Sequence, residues 1–391
     1  MNADGRSTAT IPCRVLIVGM ADSIHLARWI SQFEDSEIEF RIVSSSPHRR
    51  IHKYISELLI APNRKISVSM GAISKWLSLP LWVADRFLSD FLRGLLIAIE
   101  IRKFRPAFVH ANEIQNAGYA ALRAMKILRF KNVPLLFTTN YGSELFWYGA
   151  YKNHRKKIVE LLRHSAAFSA ECKRDYSLAE NFGFSGTNMP QMPVAGGARF
   201  RNQVVEARRT IAVKGYQNKW GQALSVLDCL TDLQDALAGF KIEVFSANKS
   251  VERRVKYLRR TSRLQIVSYS KGSLSHEAMM QLFSRSICYI GFSLSDGIST
   301  SMIESMANGA VPIQTSTSCA EEWIQHGKTG FILDPTDLEG LKKALLSITQ
   351  GDFDANQARL ENSKVIDEKY DPDNLSNIAK EQYRIMLSLT R

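Results

Sequence analysis

The chain has 391 residues, 45% hydrophobic and 23% charged, with a formal net charge of +13, which suits a globular protein too long for one core and points to two domains. No apolar run approaches the ~20 residues that span a bilayer. The first ten residues lack a signal-peptide pattern, and five scattered cysteines without C-x-x-C spacing indicate neither a disulfide framework nor a zinc site.

Val15–Val18 reads as a buried strand, followed by Gly19, a turn over 20–23 and a helix from about Ile24. A strand, a glycine and a helix opening an alternating pattern argue for a parallel α/β sheet. Gly19 and its turn would bring backbone amides towards a ligand, and His25 sits on the following helix. Further strands are expected at Phe40–Ser44, Ala107–His110, Leu135–Thr138 and Ala166–Ser169. A helix is expected over Asp85–Phe104, with Phe87, Leu88, Phe91, Leu92, Leu95 and Ile99 on the face that packs on the sheet. Before it, Trp76, Leu77, Leu79, Leu81 and Trp82 flank Pro80, near Arg64, Lys65 and Lys75. Tryptophans beside basic residues suit a membrane interface, and packing under a long loop suits them equally.

Paired glycines and a basic run over 196–209 mark a linker. A second alternating series follows. Strands are expected at Ile211–Lys214, Lys241–Phe245, Leu264–Ser268, Ile287–Phe292 and Val311–Thr315. Helices are expected at Gly221–Leu237, Val251–Arg259, His276–Phe283 and from about Thr300 to Asn308. Final helices occupy about Ala355–Lys369 and Asn374–Leu389. The positive charge lies mostly in the first half: residues 1–200 hold 27 Lys and Arg against 16 Asp and Glu, a net of +11, and the rest 24 against 22, a net of +2. Such a half-molecule can face an anionic membrane leaflet or a phosphorylated lipid acceptor. No nucleic-acid module accompanies it, so nucleic acid is not an expected partner.

The densest motif is I-G-F-S-L-S-D-G-I-S-T-S-M-I-E-S-M-A-N-G-A-V-P-I-Q-T, in which Asp296 precedes Glu304 by eight positions. A polar turn opening onto a helix presents backbone N–H groups and the positive end of the helix dipole, a geometry that suits a phosphate. Gly297 lets the backbone come close, and Ser299, Thr300 and Ser301 add hydroxyls. The two carboxylates can accept hydrogen bonds from sugar hydroxyls. A surface turn with capping residues is the plain alternative for the pair taken alone.

This stretch, with the following H-G-K-T-G-F, resembles the donor-binding segment of retaining glycosyltransferases of family 4. Asp296 stands in place of that family's first glutamate, and Ser305 in place of its alanine. The resemblance implies the GT-B fold: an acceptor-binding Rossmann-like domain (1–195), the linker, a facing nucleotide-sugar domain (210–370) and a last helix (371–391) returning to the first. It implies that Glu304 binds ribose and that Asp296 binds a hydroxyl of the transferred sugar. Lys214 and Lys219 would clamp the diphosphate with the amides of Gly297, Ile298 and Ser299. Tyr216 fills the place of the family's usual arginine, and a solvated turn lysine is the alternative for Lys219. Tyr269, just after the strand Leu264–Ser268, joins the donor-side residues.

F-T-T-N-Y-G-S-E-L-F resembles the family's Thr-x-His-Gly-Ser-Asp loop, with Tyr141 at the histidine and Glu144 at the aspartate. Asn140, Tyr141 and Glu144, together with Asn112 and Glu113 after the strand ending at His110, are the expected acceptor contacts. His110 itself reads as a satisfied core residue. A transferase of this kind needs no metal or other cofactor, and its expected place is the cytoplasm or the inner face of the membrane. Bacterial surface-polysaccharide or glycolipid synthesis is the setting the resemblance implies. A sugar-nucleotide epimerase and a non-catalytic basic surface-binding protein are the rival readings.

Overall fold

The computed structural model describes residues 13–33, 36–46, 50–60, 66–69, 80, 83–85, 87–193, 196–197 and 208–390. The tryptophan-rich segment around Pro80 and most of the expected linker lie outside them. The chain divides into two compact units, residues 1–196 with 376–391, and residues 197–375. No described helix is long and apolar enough to cross a membrane.

The first unit is built on seven strands: β1 (Arg14–Gly19), β2 (Glu39–Ser44), β3 (Ile66–Ser69), β4 (Phe108–Ala111), β5 (Leu135–Asn140), β6 (Ala167–Ala170) and β7 (Thr187–Asn188). All pair in parallel, in the order β3-β2-β1-β4-β5-β6-β7. Val15–Val18 and the whole of β4 are buried, as strands covered on both faces must be. The strand order reverses between β1 and β4, so the carboxyl ends of these two strands open a crevice. Gly19 ends β1 there, and a Cβ at this position would stand 3.3 Å from that of Asn112.

Helix α1 (Ile24–Ser31) follows β1 and is capped by the Ser23 side chain. Helix α2 (Lys53–Ile60) follows β2. The expected long helix begins only at Phe91: α3 spans Phe91–Phe104, preceded by Ser89 and Asp90 in left-handed conformations. Asp85 stops the chain from continuing as one helix, because its carboxylate accepts from the Leu92 amide at 2.6 Å and from Arg93 Nε at 2.8 Å. The packed face also differs from the expected one. Ile97, Ala98, Ile101 and Phe104 are buried, whereas Phe87, Leu88, Phe91, Leu95 and Ile99 are exposed. Gly94 sits against Arg123 of α4 (Tyr119–Ile127), and no side chain fits between them. Helix α5 (Lys152–His164) lies between β5 and β6, and α6 (Lys173–Asn181) between β6 and β7.

The second unit has six parallel strands: β8 (Thr210–Lys214), β9 (Lys241–Ala247), β10 (Gln265–Ser270), β11 (Ser286–Gly291), β12 (Val311–Thr315) and β13 (Phe331–Leu333). Their order is β10-β9-β8-β11-β12-β13, so the switch point lies between β8 and β11. The helices are α7 (Ala223–Asp232), α8 (Lys249–Thr261), α9 (His276–Ser284), α10 (Thr300–Ala307), α11 (Leu338–Gln350) and α12 (Ala355–Lys369). Helix α10 stops because Gly309 adopts φ +82. The amides of Gly309 and Ala310 then close back on the carbonyls of Met306 and Ser305, the Schellman pattern.

Helix α13 (Pro372–Leu389) brings Tyr383 into the core of the first unit. There its ring stacks on Phe33 at 4.3 Å and meets Phe108 edge-on at 5.1 Å. Trp29 Nε1 donates to its hydroxyl at 3.1 Å, and His110 Nδ1 lies 2.9 Å away. Since Trp29 fills an acceptor position on that oxygen, the tyrosine proton goes to His110 Nδ1, and His110 Nε2 donates to Thr139 Oγ1 at 2.8 Å. Burial holds His110 down at about 3, so it is a neutral core residue.

Candidate functional site

The switch point of the second sheet gathers the charged residues that the sequence marks. Lys214 is the last residue of β8, and the bend after β11 delivers Asp296 to it. Lys214 Nζ donates to Asp296 Oδ2 at 3.1 Å and to Ser299 Oγ at 3.2 Å. Burial opposes the lysine's charge, but Asp296, Tyr289 and Tyr216 outweigh it and raise its pKa, so it is a fixed cation. Asp296 is further oriented by the Gly297 amide, which donates to its Oδ1 at 3.0 Å.

Ser299 occupies the N-cap position of α10, yet its side chain makes no capping bond. Its hydroxyl is turned to Lys214, to Ser301 Oγ at 3.2 Å and to Tyr289 Oη at 3.3 Å. Ile298 is buried under this turn and Thr300 begins the helix. A helix start that the Ser299 side chain leaves uncapped, beside a lysine and two serine hydroxyls, has the chemistry that suits an anion.

Glu304 lies one turn further along α10 and is buried. Its Oε1 is 3.0 Å from Nε2 of His276, the first residue of α9. Lys219 is exposed and rests over the Trp220 ring at 4.2 Å, on a loop fastened to the approach to Asp296 by Leu294 N to Trp220 O at 2.7 Å. Tyr216 lies between two cations, 5.1 Å from Lys214 Nζ and 5.9 Å from Lys271 Nζ. Tyr269 is placed elsewhere: its hydroxyl donates to Glu243 Oε2 at 3.0 Å, in a cluster with Arg285 and Lys241. That cluster gathers around the first residues of β9 and β11, so the Tyr269 hydroxyl is turned away from the strand ends that hold Lys214 and Asp296.

In the first unit, Asn112, Glu113, Asn140, Tyr141 and Glu144 come together at the carboxyl ends of β4 and β5. Tyr141 donates its hydroxyl to Asn112 Oδ1. The other three are tied further into the fold. Glu144 Oε1 accepts from the Ile114 amide at 2.9 Å and Oε2 from the Tyr141 amide at 2.8 Å, tying the two strand-end loops together. Glu113 accepts from Ser45 Oγ and from Asn116 Nδ2. Asn140, fully buried, donates to Asp175 Oδ2 at 2.7 Å. Burial raises the carboxyl of Glu113 and lifts that of Glu144 well above the usual range, where the neighbouring Glu113 adds to the effect. Asn112 Nδ2 is buried without a partner among the described residues, and Tyr141, half-buried, has its ring 5.9 Å from that of His25.

Tyr289, His276 and Lys271 carry only faint sequence signals: a tyrosine inside an apolar strand, a histidine at a helix start, and a lysine just past a strand end.

Residues 222–364 match the family model described as glycosyl transferases group 1, the segment that carries Asp296, Glu304, α10 and β12. No relative among curated proteins matches the chain. Its fold is that of sucrose-phosphate synthase from Thermosynechococcus elongatus, at TM-score 0.70 and 10% identity over 96% of this chain and 100% of that one. The lipopolysaccharide outer core galactosyltransferase WaaB superposes at 0.68, with 12% identity over 97% and 100%. HepE from Anabaena, solved with UDP and glucose, gives 0.67 and 12% over 96% and 100%. The protein has the GT-B architecture of two parallel-sheet Rossmann-like domains.

Proposed function

We propose that the protein is a retaining glycosyltransferase that moves a sugar from a nucleoside-diphosphate donor to a carbohydrate or lipid-linked acceptor. The observation that carries this reading is the Lys214–Asp296–Ser299 cluster beside the uncapped start of α10, at the switch point of the second sheet. The group 1 match over the same residues supports it. The diphosphate would lie against the first turn of α10 and Lys214, with Lys219 closing from its loop. Glu304 would take the ribose hydroxyls and Asp296 a hydroxyl of the sugar.

As the glycosidic bond breaks, negative charge grows on the departing phosphate. A fixed cation and helix amides already aimed there stabilise it without reorganising. The leaving phosphate would take the acceptor's proton, leaving the protein to position and to stabilise charge. The two lysines supply the positive charge, so the proposal includes no metal. The acceptor would bind at the strand ends of the first unit, with Tyr141 and Asn112 in contact and Glu113, Glu144 and Asn140 holding the loops. A basic first half suits a phosphorylated lipid acceptor and peripheral contact with an anionic inner membrane face.

The test is incubation of the purified chain with UDP-glucose, UDP-galactose, UDP-N-acetylglucosamine and GDP-mannose, with release of nucleoside diphosphate followed. NMR of the first-formed sugar product would give its anomeric configuration. Slow release from one donor, with configuration kept, is expected. No release from any donor, alone or with glycolipid acceptors, would overturn the reading.

A further inference from the structure

Tyr289 is fully buried in the middle of β11, with its ring among those of Phe245 and Phe283. A tyrosine in such a place still needs a partner for its hydroxyl. It finds one at the far end of its own strand. Residues 289 and 291 share a face of β11, and position 291 is glycine. A Cβ there would stand 2.5 Å from Tyr289 Oη and closer still to Gln314 Oε1. The empty place at Gly291 is thus what lets the ring lie along the strand and carry its hydroxyl to the start of α10. Oη meets Ser299 Oγ at 3.3 Å and Ser301 Oγ at 3.2 Å, and the two serine oxygens are 3.2 Å apart.

Proton bookkeeping gives this contact a purpose. Lys214 has only donors, so Ser299 Oγ accepts from it. Burial raises the Tyr289 phenol against the pull of Lys214, so it keeps its proton and can donate. Ser299 is 2% exposed, with Lys214, Tyr289 and Ser301 around its oxygen, so its proton stays inside and goes to Ser301 Oγ. If the phenol donates to Ser301 as well, both acceptor positions of that half-buried serine are filled from behind, and its own proton is left for an anion in front of the helix. Without the phenol one of these positions is empty, and the Ser301 proton is no longer held outward.

We infer that Tyr289 is a positioning residue for the donor diphosphate, setting Ser301 as an outward hydrogen-bond donor; the inference rests on the site reading above and names a residue outside it. The diphosphate contacts Ser301, and Tyr289 acts through it.

The test compares Tyr289→Phe with wild type by titration calorimetry. The ligands are the nucleoside diphosphate among UDP, GDP and ADP that the wild type binds best, and the matching nucleoside. Tyr289→Phe should weaken the diphosphate about three- to tenfold, the equivalent of one hydrogen bond, and leave the nucleoside unchanged. Ser301→Ala should do the same, and the double variant should lose little more than either single one. Unchanged diphosphate affinity, or an equal loss for the nucleoside, would overturn the inference. If Tyr289→Phe does not fold, unchanged diphosphate affinity in Ser301→Ala would still overturn the inference. A wild type that binds no nucleoside diphosphate would overturn the site reading itself, and the role of Tyr289 with it.

Discussion

Asp296→Asn should push binding and turnover in opposite directions. The change keeps the shape, and an amide Oδ1 can still accept from the Gly297 amide. It removes the charge that holds Lys214 Nζ at 3.1 Å, in a pair whose side chains are 16% and 33% exposed. At that separation the gross attraction is about 5 kcal/mol for an effective dielectric of 20, and about 1.3 kcal/mol in bulk water. Partial exposure and the cost of desolvating both ions leave a net of roughly 1–2 kcal/mol. A diphosphate must draw Lys214 away from this carboxylate and approach a like charge to do so. Asparagine lifts both penalties, so a bare nucleoside diphosphate should bind about fivefold tighter, worth about 1 kcal/mol. The sugar hydroxyl, in contrast, loses a charge-assisted bond of about 1.5–3 kcal/mol. Turnover should therefore fall by roughly ten- to hundredfold. Calorimetry with the bare diphosphate and initial rates with the sugar nucleotide read the two effects separately. Tenfold weaker binding of the bare diphosphate would refute this reasoning, because Asp296 would then be needed to aim the lysine.

Lys219→Ala should leave thermal stability unchanged, since the residue is exposed on its loop, and should lower turnover by about tenfold. Equal rates in initial-velocity assays would remove Lys219 from the clamp. Tyr383→Phe strips the hydroxyl shared by Trp29 and His110 and leaves two buried polar groups unpaired. It should cost about 2–4 kcal/mol in urea unfolding, and a loss under 1 kcal/mol would contradict the packing described. His110 also sets a pH dependence. Its folded value of about 3 lies below the ordinary 6.5, so below pH 6.5 the unfolded chain binds a proton that the folded chain refuses, and stability falls with pH. Between pH 7 and 5 the loss from this residue should approach about 2 kcal/mol. His110→Gln should flatten that slope, and an unchanged slope would contradict the assignment.

Much of the donor side could be read from sequence because its signals are local. A glycine after an apolar helix, a polar turn before it and a carboxylate eight residues before a second fix β11, α10 and β12 with little help from the rest of the fold. Lys214 and Asp296 are 82 positions apart, and what joins them is sheet order. Only the reversal between β8 and β11 makes their strand ends neighbours. Tyr289 was hidden for a related reason: its ring looks like core, and its role depends on the missing side chain at Gly291 and on Gln314 of the next strand.

In the first unit, hydrophobic periodicity placed the wrong face of α3 inward. Several large apolar residues on that helix are exposed, while Gly94 makes the close contact and Ala98 is buried. Its start was missed because Asp85 caps it from six residues before, beyond the span of an ordinary N-cap. The sequence pattern turns Glu113 and Glu144 to a ligand, yet their oxygens are taken by Ser45, Asn116 and two backbone amides. Burial of a carboxylate by neighbouring loops leaves no mark in its own segment of sequence.

The central claim is that the second unit binds a nucleoside diphosphate through the start of α10, with ribose on Glu304. The most direct measurement is thermal stabilisation of wild type and Glu304→Ala by UDP, GDP, ADP, CMP and dTDP without added metal. One diphosphate at ~100 times its dissociation constant should stabilise the wild type by about 2.7 kcal/mol, and Glu304→Ala should need at least tenfold more of it. Equal stabilisation of both proteins would contradict the ribose assignment, and no stabilisation by any of the five would contradict the site.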